Sequence, residues 1–320
     1  MAVLSTLLNA TAFKTPLLRT LIPTLALAYG IQAAVAVPSI ATKSERFYDA
    51  SGSLTYLACT GASLVLPVLR ARLAAGTLGT SGLLGEVLQA TNWRQVALTT
   101  AVSLWAIRLG SFLLSRITAE SGRDSRFDSI RGSPPKFAVA FFAQATWVSL
   151  CTLPVVLLNA LPGSSFASLP ASILLSDFLG LALYVGGILF EVTADRQKSQ
   201  WMHEKKEKRH AEEFLTRGLW GKSRHPNYFG EITLWTGIAI AAGGVLTSKV
   251  GLRGLGLSTG LASKLGTAAA CAVSPGFVSF LLLKVSGIPL SENKYDKKFG
   301  DHKDYQEWKK NTPMLFPKFW

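Results

Sequence analysis

Residues 137–160 read FAVAFFAQATWVSLCTLPVVLLNA, 24 positions without one Asp, Glu, Lys or Arg. A helix needs about 20 predominantly apolar residues to cross the hydrocarbon core of a bilayer, so this stretch predicts a membrane span. Working outward from it, six more apolar stretches occupy residues 16–38, 54–69, 96–114, 171–190, 230–247 and 266–283. The chain is therefore expected to be all-α and polytopic, with about seven transmembrane helices. Composition agrees: of 320 residues 49% are hydrophobic and only 16% charged, and the mean hydropathy is +0.30. That balance excludes a disordered chain and argues against a water-soluble globule.

The 33 Lys and Arg outnumber the 19 Asp and Glu, a net charge of +14. Seven crossings place alternate loops on opposite sides. One side, comprising residues 39–53, 115–136, 191–229 and the tail from Lys284, collects 24 basic residues, and the other collects 8. By the positive-inside rule this predicts a cytosolic C-terminus. Basic residues split among loops do not form the continuous patch that nucleic acid requires, so no nucleic-acid partner is expected, whereas anionic membrane lipids are. No acidic residue precedes Glu45, while Lys14 and Arg19 do. The first span is read as a retained helix, with a mitochondrial address left open beside the endoplasmic reticulum.

Cys59, Cys151 and Cys271 each lie in an apolar run, without a second Cys or a His at ligand spacing. Three buried thiols are expected, with no disulfide framework and no metal. Gly221-Lys222-Ser223 resembles the end of a phosphate-binding P-loop, but Thr216 stands where the first glycine is needed. The charges from Glu204 to Glu213, with His203 and His210, read as a solvated surface helix. Trp93, Trp147, Trp220, Trp308 and Trp320 read as interface anchors.

The chemistry concentrates between residues 190 and 235, in FEVTADRQKSQW and GLWGKSRHPNYFGEITLW. Polar groups at the rim of a membrane segment are costly unless they meet water, a partner or a ligand. Glu191, Asp195, Arg196 and Lys198 follow the fifth span; Arg224, His225, Asn227 and Glu231 precede the sixth. Pro226 stops any helix before it, so the Tyr228 to Glu231 stretch opens the sixth helix, whose free N–H groups attract anions. A phosphate beside Arg224 and His225 would be well served there. Arg108 and Asp177 are the charges deepest in apolar sequence, and intramembrane charges usually face a bundle interior or mark a site.

SRHPNYFGE before an apolar helix, the ADRQK stretch, IRLGSFLLSR with GRDSRFD, and the tail GIPLSENKYDKKFGDHKDYQEWKKNTPMLFPKFW together resemble the steroid 5-alpha-reductase-like membrane reductases, in particular an uncharacterised branch in fungi and bacteria. The resemblance covers about residues 43–320, leaving 1–42 as an N-terminal segment with the first transmembrane helix. It implies seven helices enclosing a cofactor and substrate cavity open to the cytosol. It further implies NADPH as cofactor, reduction of a carbon–carbon double bond conjugated to a carbonyl, and a lipophilic small-molecule substrate. Carried across by motif, Asp195, Asn227 and Glu231 would hold the cofactor with Tyr295 closing over it. Arg108 and Arg116 would lie nearby, and Lys198, Arg224 and His225 complete the cofactor set. Asp49 and Tyr228 are the candidate catalytic groups.

The steroid enzymes carry a tyrosine three residues before the Arg108 position and a glutamate in the second helix. This chain has Trp105 at the first place and no Glu at the second, Asp49 being the nearest acid. Isoprenylcysteine and phospholipid methyltransferases share an RHPxYxG segment and bind S-adenosylmethionine, which makes a methyltransferase the main alternative. A non-catalytic membrane scaffold is the third reading.

Overall fold

The computed structural model of the chain describes residues 2–79, 81–119, 124–170 and 172–318. Its helices are, in order, α1 (Ala2–Ala10), α2 (Pro16–Thr42), α3 (Tyr48–Ala74), α4 (Leu83–Ala90), α5 (Trp93–Ala119), α6 (Pro134–Asn159), α7 (Gly163–Phe166), α8 (Leu175–Lys206), α9 (Pro226–Leu246), α10 (Lys249–Gly254), α11 (Leu261–Phe280), α12 (Ile288–Phe299) and α13 (Lys303–Asn311). A π-helical turn, Leu281–Val285, joins α11 to α12. No strand occurs among the described residues. Seven helical runs are long and apolar enough to cross a membrane: α2, α3, Trp93–Ser115 of α5, α6, α8, α9 and Leu261–Phe299. The protein is a polytopic membrane protein.

The spans coincide with the apolar stretches but overrun them. Thr15 accepts from the Leu18 N–H and Pro16 sits in the first turn, which starts α2, and Lys43 closes it in the left-handed region at φ 50°. One long overrun is α8, which continues to Lys206 because QKSQWMHEKK is polar yet made of good helix formers. The expected surface helix over residues 204–213 does not form beyond that point. The chain turns at Lys208, with φ 56°, and His210 stacks on the Trp201 ring at 5.1 Å.

The chain divides into two compact units, residues 1–176 with 242–273, and residues 177–241 with 274–320. In the first, α2, α3, α5 and α6 pack together, and α6 is the most enclosed, with 61% of its apolar window buried. Apolar side chains gain little by leaving lipid for protein, so polar side chains and close fit do much of the joining. Gln32 donates to Thr55 Oγ1 at 2.7 Å, Tyr48 donates to the Ala140 carbonyl at 3.0 Å, and Asn159 donates to Ser63 and Thr99 at 2.9 and 3.0 Å. Tyr56 and Trp105 meet edge-on at 5.1 Å in the middle of this packing. At the turn between α2 and α3, Glu45 accepts from Arg131 and from the Asp124 N–H, while Arg126 bridges Asp124 and Asp49.

In the second unit α8 and α9 run antiparallel along a seam of glycines, Gly180 and Gly187 on one helix against Gly237 and Gly230 on the other. A Cβ at Gly230 would lie 2.6 Å from the Glu191 nitrogen and 2.7 Å from the Gly187 oxygen, backbone atoms that cannot step aside. Only glycine permits this approach. The seam lays the polar C-terminal half of α8 beside the first turns of α9. All three cysteines are buried, and none forms a disulfide among the described residues.

Candidate functional site

In the second unit, the segment between α8 and α9 is held from two directions. The Trp220 indole donates to the Ala194 carbonyl of α8 at 2.9 Å, and the Leu219 N–H donates to Gln197 Oε1 at 2.9 Å. From the other side the tail returns: the Arg224 N–H donates to the Pro313 carbonyl at 2.9 Å and Ser223 Oγ donates to the Leu315 carbonyl at 2.8 Å. Ser223 Oγ also accepts the His225 N–H at 3.2 Å, which fixes the chain as it enters α9 at Pro226.

These constraints surround a cavity of about 130 Å³. A water needs about 10–15 Å³ by this measure, so the space holds a group the size of one end of a dinucleotide. Its walls are largely aromatic, with Trp201, Trp220, Tyr295, Tyr305 and Trp308, and its polar lining includes Lys198, Arg224, His225 and Glu292. Glu292 on α12 collects three partners: Arg224 Nη1 at 2.7 Å, His225 Nε2 at 2.9 Å and Lys309 Nζ at 3.1 Å. Asp296, one turn on, takes Lys309 at 2.5 Å and the Tyr305 hydroxyl at 2.8 Å. The Lys198 ammonium lies 5.0 Å from the centre of the Trp220 ring.

Burial pushes the His225 imidazole below its ordinary range, against the opposing pull of Glu292, so the ring is neutral at pH 7. A carboxylate only accepts, hence Nε2 carries the proton toward Glu292 and Nδ1 is left as an acceptor. Tyr228 stacks on this ring at 5.4 Å and 6°. Burial, helped by the hydrogen bond to Asp296, raises the Tyr305 phenol and keeps it protonated. The buried polar atoms that find no partner among the described residues include Arg224 Nε, Asn227 Oδ1 and Trp308 Nε1. Arg224 and Trp308 both line the cavity.

Of the residues singled out by sequence, Lys198, Arg224, His225 and Tyr295 share this cavity. Asp195 on α8 and Asn227 and Glu231 on α9 are half-buried on the helical turns beside it and are not among its walls. Asp49, Arg108 and Arg116 belong to the first unit. There Asp49 is ion-paired with Arg126 at 2.9 Å, Arg108 is half-buried in α5, and Arg116 falls near the end of the same helix. Sequence reasoning missed Glu292 and Lys309, which no local spacing links to residues 224 and 225. Trp220 and Trp308, read as interface anchors, are walls of the cavity, Trp147 packs on Tyr56 at 5.1 Å, and Trp320 lies outside the described residues. Among the described residues no three His, Cys, Asp or Glu side chains come together to hold a metal ion.

No curated protein and no solved structure matches the chain. Residues 73–312, three quarters of its length and the whole span from the end of α3 to α13, match the family described as a protein of unknown function, DUF1295. The chain therefore belongs to the DUF1295 family of uncharacterised membrane proteins.

Proposed function

We propose that this chain is an integral membrane reductase that uses NADPH to reduce a conjugated carbon–carbon double bond in a lipophilic substrate, with its basic face and C-terminus in the cytosol. The observation that carries the reading is the aromatic cavity in which Arg224 Nε and Trp308 Nε1 are desolvated without an acceptor. A buried donor left unmade is costly, and a ligand rich in acceptors relieves it. The residues present fit one end of a dinucleotide. Arg224, Lys198 and the first turn of α9 suit phosphate oxygens, the Trp and Tyr walls suit a flat ring, and Asn227 Oδ1 suits an amide or ribose donor. Asp195, Glu231 and Tyr295 complete the set on the resemblance described above.

When bound, the cofactor supplies a hydride for the β-carbon of the enone. The chain's own work is to orient that face, to polarise the carbonyl and to deliver a proton to the α-carbon. Tyr228, stacked on His225 at the edge of the cavity, is the group of this unit that brings an exchangeable proton to this task.

The test is a thermal-shift titration of the purified protein with NADPH, NADH and S-adenosylmethionine, since a ligand that binds only the native state raises the melting temperature. Stabilisation by NADPH that is lost in Asn227→Ala, with folding retained, supports the reading. Stabilisation by S-adenosylmethionine alone would move the protein to the methyltransferases.

A further inference from the structure

A second cavity lies wholly within the first unit, where the ends of α3 and α6 meet the start of α5. It has a volume of about 160 Å³ and opens beside α4. Its walls are mainly apolar, with Pro67, Val68, Leu161 and Pro162 among them. Its polar floor is Asn159, 1% exposed, at the last residue of α6. The orientation of that amide is fixed by its neighbours. Ser63 commits its hydroxyl proton to the Thr60 carbonyl at 2.8 Å, so it can only accept from Asn159, and Asn159 must present its NH₂ to Ser63 and Thr99. Asn159 Oδ1 is thereby turned away from them, buried, and no donor among the described residues reaches it.

Glu86 is the charged residue in the lining, and its carboxylate is engaged by Arg72 Nε at 2.5 Å. Gln95, the other amide in the lining, gives its NH₂ to the Leu158 and Leu161 carbonyls and takes the Asn92 N–H. A lining residue of the cavity thus carries a buried amide oxygen without a donor among the described residues, and the one charged group in the largely apolar lining, Glu86, is paired with Arg72. Its level is that of a membrane boundary, since three candidate spans end or begin there. The helix at its mouth, α4, buries Val87 but leaves Leu84 and Leu88 74% and 53% exposed, one turn apart on a face suited to lipid.

We propose that this cavity is a binding site for the hydroxyl headgroup of a neutral amphiphile, a long-chain or ring alcohol. The hydroxyl donates to Asn159 Oδ1, and the apolar body packs on Pro67, Val68 and Leu161 and continues into the bilayer past α4. The inference does not rest on the reductase reading, because every residue it uses belongs to the first unit.

The test uses the full chain in phosphatidylcholine nanodiscs, a lipid without a hydroxyl donor. The probe is a tetradecan-1-ol carrying a photoreactive diazirine near its hydroxyl, and the comparison probes are its methyl ether and its primary amine. Crosslinks from the alcohol are expected within residues 67–71, 86–95 and 159–163, and unlabelled alcohol should compete them away. Both the methyl ether and Asn159→Ala should lower labelling about five-fold or more, the scale of one buried hydrogen bond. Ala90→Leu, which fills the mouth from an exposed position, should lower it without touching the amide and so covers the case in which Asn159→Ala fails to fold. Equal labelling by alcohol and ether, stronger labelling by the amine, or crosslinks spread along the spans would overturn the proposal.

Discussion

Replacing Glu292 with Gln should weaken the fold and strengthen the cofactor site at the same time. In the structure its carboxylate is shared by Arg224, His225 and Lys309, with side-chain exposures of 17% for Glu292 and 12% for Arg224. Breaking a fully buried ion pair by removing one partner costs about 3–5 kcal/mol, and this one is partly solvated and retains an amide acceptor, so about 1–3 kcal/mol is expected. The same change removes a negative charge beside the cavity. A unit charge at about 6 Å in an effective dielectric near 20 is worth up to about 3 kcal/mol. Solvent screening brings this to about 1 kcal/mol, or roughly five-fold tighter NADPH binding. Thermal unfolding in detergent measures the first effect and NADPH titration the second. A variant that loses both stability and affinity would refute the reasoning, because Glu292 would then organise the ligand site instead of competing with the ligand for its cations.

The glycine seam gives a paired comparison. Gly230→Ala pushes a Cβ to 2.6 Å from the Glu191 nitrogen and should cost at least about 1–3 kcal/mol, while Gly186→Ala, with nothing within 4 Å, should be neutral or slightly stabilising by urea or thermal unfolding. Arg131→Leu strands the Glu45 carboxylate, 1% exposed, and should cost about 2–4 kcal/mol, much of which Glu45→Gln in the same chain restores. Acidification tests His225: its folded pKa is depressed, so the unfolded chain binds the proton first. Stability is therefore full above about pH 6.5 and falls as the pH drops from there toward the folded value, a loss that His225→Gln removes from the melting curve.

The membrane architecture was open to sequence reading because hydrocarbon thickness sets a length and composition that seven stretches meet. Their ends were not. Hydropathy stops where charges begin, but backbone helix continues wherever propensity and packing favour it, as in α8 beyond Phe190 and in α3, which starts at Tyr48 rather than residue 54. Asp49 thereby moves from a loop into the first turn of a helix, with Arg126 of the GRDSRFD stretch as its partner. The segment from Arg224 to Glu231 was legible for a local reason: a proline, a cation, an amide and a carboxylate cluster at one helix start. Glu292 was invisible because its partners lie 67 and 68 positions away and are brought to it by the returning tail. His210 misled because its charged neighbours suggest solvent, whereas its ring is packed on Trp201.

Arg224 separates a structural ion pair from a ligand site. If its task were only to hold Glu292, Nη1 would suffice, and a desolvated Nε without an acceptor would be a standing penalty of about 1–3 kcal/mol. Trp308 Nε1, in the wall of the same cavity, adds a second such group. Two unmet donors on residues that line one aromatic space make sense when an acceptor-rich molecule completes them. Arg224→Lys keeps the charge and the pairing with Glu292 but has no second face to offer. It should change unfolding stability by about 1 kcal/mol or less, since the charge pair is preserved. NADPH affinity should nevertheless fall about ten-fold, the scale of one charge-assisted hydrogen bond. Unchanged affinity in Arg224→Lys, with Arg224→Leu unfolded, would mean that the guanidinium serves only the fold.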